Sequence, residues 1–104
     1  MAKIKAVFMF LDETADPTKH QATVDTPDVT LTVVGVSSSE VAVKTAKQLV
    51  REGKADVIEL CSVFGYKGTA AVHDAVGDQA IVGMVAHQWD NAPKICELTK
   101  KLGW

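Results

Sequence analysis

The residues with the means to do chemistry gather in one stretch, Asp56-Val-Ile-Glu-Leu-Cys-Ser-Val-Phe-Gly-Tyr-Lys-Gly-Thr69. An apolar run patterned as a buried strand carries one carboxylate, Glu59, and one thiol, Cys61. It breaks into a loop with Gly65 and Gly68 that opens a helix. In α/β proteins, ligands collect outside the carboxyl ends of strands, where helix amino ends begin. A buried carboxylate is costly when ionised and unpaired, so Glu59 is expected to be hydrogen-bonded, salt-bridged or protonated. It would serve as a general base or orienting group, or pair structurally with Lys, Arg or a helix amino end.

Cys61 has two readings. A following helix amino end lowers a thiol pKa, yet a free cysteine is more often a small buried hydrophobe. Gly65-Tyr-Lys-Gly-Thr69 offers backbone N–H groups and Lys67 to a phosphate or carboxylate. The plainer reading is a strand-to-helix turn with Thr69 as N-cap. The spacing matches neither a nucleotide P-loop nor the dinucleotide glycine fingerprint.

Other candidates follow the remaining strands: Asp12 and Glu13 after the first, Ser37 after the second, Ser62 closing the third, His87 after the fourth. Parallel strands would bring them to one edge, a setting for acid–base chemistry. Glu59, Cys61 and His87 are the catalytic candidates. Asp12, Ser37, Ser62, Gly65, Lys67, Gly68 and Thr69 are the ligand contacts. His20, His73 and His87 lack close ligand spacing, and Cys61 lies far from Cys96. Neither a metal site nor a cofactor is expected.

The elements that position these residues follow from pattern. Residues 4–11 and Val29–Val36 read as strands, rich in β-branched and apolar side chains. Asp16-Pro17 between them reads as a helix start, with Thr26-Pro27 as its end; a hairpin arm at residues 21–25 is the alternative. Ser37 and Glu40 form a capping box for a helix whose inward stripe is Ala42, Ala46, Leu49 and Val50. Val57–Cys61 is the third strand, with a helix from about Thr69 to Val76. Residues 80–86 form the fourth strand, where Gly83 suggests close approach of a neighbour. Asn91 caps a last helix ending at Gly103-Trp104 in a Schellman turn.

Four β-α units predict an α/β fold: a small four-stranded parallel sheet with helices on both faces. Half of a β/α barrel, pairing with a second copy, is the alternative. The 104 residues make one domain, 1–104. A hydrophobic share of 47% and a charged share of 23% fit a globular chain and exclude disorder. Net charge of −2 leaves no basic footprint for nucleic acid. No apolar run approaches the roughly 20 residues of a membrane span. Met1–Leu11 imitates a signal peptide, but its apolar part is short and no cleavage site follows. A cytoplasmic, reduced protein is expected.

Ile58-Glu-Leu-Cys61, Phe64-Gly65 and Gly68-Thr69-Ala70 resemble a family of short uncharacterised prokaryotic proteins, domains of unknown function. Asp16-Pro17 with His20, Thr26-Pro27 and Leu31-Thr-Val-Val-Gly-Val36 extend the resemblance over nearly the whole chain. Where that family usually has two glycines after the cysteine, this chain has Ser62 and Val63. The resemblance implies a compact α/β fold and supplies no activity.

The residues therefore point to binding of a small anionic metabolite at the strand carboxyl ends. One alternative is a small lyase or isomerase using Glu59 as base, with Cys61 or His87 as acid. Another is an oligomeric interaction module without catalysis. Phe64, Tyr66, Trp89 and Trp104 would wall a pocket or meet a second subunit of a homo-oligomer; the plainer reading is that they seal the end of the sheet.

Overall fold

A computed structural model describes residues 3–104; residues 1 and 2, which open the leader-like stretch, lie outside the described residues. The strands are β1 (Ile4–Leu11), β2 (Gln21–Asp25), β3 (Val29–Val36), β4 (Val57–Leu60) and β5 (Ile81–Met84). The helices are α1 (Ser39–Arg51), α2 (Gly65–Val76) and α3 (Ala92–Leu102). One sheet runs in the order β2-β3-β1-β4-β5. β1 is parallel to β3 and β4, and β4 to β5, while β2 pairs antiparallel with β3.

The α/β class is as expected, but the sheet has five strands and is mixed, not four-stranded and parallel. The difference arises at Asp16-Pro17. These residues start a helical turn, with the N–H groups of Lys19 and His20 both donating to the Asp16 carbonyl. The Asp16 carboxylate takes the Thr18 N–H and hydroxyl, at 2.9 and 2.7 Å. There the turn ends. The N–H of Gly35 donates to the His20 carbonyl, and the β-branched Thr23 and Val24 pair with Thr32 and Leu31. The hairpin-arm alternative for residues 21–25 prevails over the helix. With β1 in the middle of an open sheet, the strand order also differs from the sequential order of a half barrel.

This substitution of a strand for a helix decides which face is covered. Right-handed crossovers from β3 to β4 and from β4 to β5 run in one direction and place α1 and α2 on the same face. The crossover from β1 to β3 runs the other way, and its connection passes the opposite face. That connection is a turn and a strand, so among the described residues this second face carries no packed helix. Helices on both faces, as expected from sequence, are not what the chain forms. The core lies on the covered face, where Val7, Met9, Val34, Val36, Ile58 and Leu60 meet Ala42, Ala46, Val72 and Val76.

Local chemistry fixes the helix ends. Ser38, not Ser37, caps α1: its hydroxyl accepts the Val41 N–H at 3.1 Å. α2 begins at Gly65, a turn before Thr69, because Gly65 takes φ +62°, open to glycine at little cost. α3 ends as expected, with Gly103 at φ +73° and the Trp104 N–H donating to the Thr99 carbonyl. No side chain caps its start; Asn91 makes no such bond. α3 packs mainly on the turn that leads into it and buries no residue.

Candidate functional site

The strand carboxyl ends line up along one rim in the order Ser37, Asp12, Ser62, His87. The chain leaves β1 toward β3 and leaves β4 toward β5, in opposite directions. Adjacent strands with diverging connections leave a crevice between them, the switch point at which open α/β sheets bind ligands. A cleft of about 790 Å³ opens at this place, lined by Leu11, Asp12, Glu13, Val63, Gly103 and Trp104. Leu11, Asp12 and Glu13 end β1, Val63 lies just beyond β4, and the C-terminus of α3 supplies an indole wall.

Ser62 and His87 meet on this rim, Ser62 Oγ lying 3.1 Å from His87 Nε2. Ser62 opens a 3-10 turn (Ser62–Phe64) that carries the chain from β4 into α2, and His87 lies in the connection from β5 to α3. Hydroxyl and imidazole can exchange donor and acceptor roles as the tautomer changes. Among the described residues no carboxylate engages the other ring nitrogen, so the pair lacks the orienting acid of a Ser-His-acid triad. It is equipped to bind and orient a polar group.

Cys61 is half-buried at the edge of the core, and its Sγ accepts the Leu11 N–H at 3.4 Å. It joins β4 to β1 beneath the cleft. Asp12 is at the cleft wall, where its carboxylate accepts the Thr14 N–H and hydroxyl, each at 2.8 Å. The Thr14 backbone bond, then its hydroxyl bond, then the field of His20 hold the Asp12 carboxyl below its ordinary value. Asp12 is therefore a fixed anion at one end of the cleft.

Glu59 does not join them. Pairing with Phe8 and Gly83 puts its side chain on the uncovered face, exposed to solvent. The ion pairs among the described residues involve other side chains, so the expected buried carboxylate with its partner is not found. The reason is the missing helix: without it, the face that Glu59 shares with Val57 is open to water. A Cβ on Gly83 would meet nothing, so the close approach expected there is also absent.

The Gly65–Thr69 segment serves the turn and the helix packing. The Thr69 hydroxyl donates to the Gly65 carbonyl at 2.7 Å, a bond within the helix and not an N-cap. Gly68 is buried between helices, where a Cβ would lie 3.2 Å from Phe64 and from Ser39 Oγ. Lys67 is exposed in the first turn of α2, and Ser37 is half-buried at the end of β3, beyond Asp12 from Ser62.

Trp104, one of the aromatics offered by the sequence as pocket walls or subunit contacts, lines the cleft together with Val63, which carries no such signal. Its signal is topological: once β1 is central, the residues beyond β1 and β4 must flank the crevice. A second groove, about 520 Å³, lies between α1 and the β2 side of the covered face, where Thr23, Thr30, Thr32 and Thr45 present hydroxyls. The alternation Thr30-Leu-Thr32 is legible in the sequence as a polar side to that strand. No group of three or more His, Cys, Asp or Glu side chains among the described residues has metal-binding geometry. No described helix is long and apolar enough to cross a membrane.

No curated protein and no solved structure matches the chain. Residues 4–100 match the model of a family of unknown function, DUF6506. With all but a few terminal residues inside that match, the chain belongs to the DUF6506 family.

Proposed function

We propose that this chain binds a small metabolite at the strand carboxyl rim, in the cleft between the β1 and β4 ends and Trp104. The observation that carries this reading is the coincidence of a roomy cleft with the switch point of the sheet. Leu11, Val63 and the Trp104 indole would hold the body of the ligand. An anionic group on it would lie toward Ser62, His87 and Lys67, away from Asp12 and Glu13.

The lyase or isomerase reading with Glu59 as base has less support, because Glu59 faces the other side of the sheet from the core and shares no hydrogen bond with Cys61, Ser62 or His87 among the described residues. Thermal-shift screening of keto acids, phosphorylated sugars and nucleotides tests the binding reading. A hit should raise Tm in the wild type, raise it less in Ser62→Ala and fail to raise it in a Val63→Asp variant. A ligand response that survives both substitutions would remove the rim from the account.

A further inference from the structure

The uncovered face of the sheet is apolar and broad. Ile4, Ala6 and Phe8 of β1 share it with Val29, Leu31 and Val33 of β3 and with residues of the outer strands, while Ala15 crosses the corner at Phe10 and Gly35. Ile4 is 54% exposed, Val24 62% and Ile81 70%. The strands place a single charged side chain there, Glu59. The chain also carries an amphipathic helix without a seat. On α3, Ile95, Leu98 and Leu102 form an exposed stripe, and helical spacing puts Lys94 and Lys101 along its Leu98 edge.

We infer that a second copy of this chain covers the face, each copy laying its α3 across the sheet of the other around a two-fold axis. Two features select this occupant. The first is charge: a lone carboxylate within an apolar field matches a stripe flanked by two lysines. The second is area. Five strands about 4.8 Å apart, up to about 26 Å long, give a face on the order of 500 Å² before side-chain relief. Adding the stripe of α3 on each copy brings the buried surface toward the roughly 800 Å² per partner of a stable interface. Helix and face belong to one chain, so a two-fold axis makes both contacts at once and closes the pair as a dimer.

Light scattering and sedimentation equilibrium of the whole chain should give twice the chain mass of 11.1 kDa. Val24→Glu, Ile81→Glu and Leu98→Glu alter side chains exposed in the single chain and should leave its circular dichroism unchanged. Each should raise the dimer Kd at least about 100-fold, since each seats an unpaired charge in an apolar contact. Glu59→Lys should weaken the dimer, and adding Lys94→Glu with Lys101→Glu should restore it. A chain monomeric at all accessible concentrations overturns the proposal. So does a dimer that tolerates charge on the face, or one indifferent to Leu98→Glu, which would point to another contact such as strand-edge pairing.

Discussion

His87 Nε2 and Ser62 Oγ stand 3.1 Å apart although 25 residues separate them, one beyond β5 and the other just beyond β4. Parallel pairing of those strands brings two loops to the same rim, and the rim is the only place this fold could join them. Both residues are free of the core, so the pair can be altered without unfolding the protein. Ser62→Ala or His87→Ala should each lower the affinity of a rim ligand about 3- to 10-fold, the usual worth of one hydrogen bond. Titration calorimetry with any hit from the ligand screen measures it, and the double variant should lose less than the sum if the two act as a pair.

The wall of the cleft should be separable from the fold. Trp104 is 80% exposed and α3 buries no residue, so deleting Trp104 should leave the urea midpoint nearly unchanged while weakening the rim ligand. Indole fluorescence of Trp104, isolated by Trp89→Phe, should shift on ligand addition.

Two close approaches should be sensitive to a single methyl group. A Cβ at Gly35 would lie 2.7 Å from the Phe10 ring and 3.0 Å from Ala15. Gly35→Ala is expected to cost about 1–3 kcal/mol in denaturant unfolding, the range for overpacking. Phe10→Leu in the same chain should recover part of that loss. At Gly68 the neighbours would be at 3.2 Å, so Gly68→Ala should cost less than Gly35→Ala.

The cap of α1 separates two adjacent serines. Ser38→Ala should destabilise the protein by about 1 kcal/mol, because the Val41 N–H loses its acceptor. Ser37→Ala should change the urea midpoint little.

Acid should loosen the 12–20 turn. Asp12 is held below its ordinary pKa chiefly by the Thr14 N–H, and Asp16 chiefly by the Thr18 hydroxyl. A depressed folded-state pKa gives stability that is complete above the unfolded value, near about 4. It is lost as pH falls through the folded values. Amide exchange at Thr14 and Thr18 should therefore quicken relative to the core below about pH 4, and Asp16→Asn should blunt that change at Thr18.

The legible and illegible parts of the sequence divide by range. α1, the last helix with its Gly103 stop, and the strand cores are written in periodicity that lies within each element. Asp16-Pro17 misled because the start signal is real: it makes one turn, and the competing pairing of Thr23 and Val24 with β3 lies several residues further along. The fate of Glu59 then followed. Whether a strand residue faces a helix or water depends on which crossover carries a helix, and no window around Glu59 contains that information. Ser62 and His87 meet on the rim because parallel pairing of β4 and β5 carries both following loops there. The place of Val63 in the cleft needs the strand order first.

The central claim is that ligands enter at the β1/β4 switch point. Backbone NMR shifts of labelled protein, followed during addition of the best screening hit, test it most directly. Asp12, Glu13, Ser62, Val63 and the Trp104 indole should move first and saturate together. Shifts confined to the threonine groove beside α1, or to the uncovered face around Glu59, would contradict it.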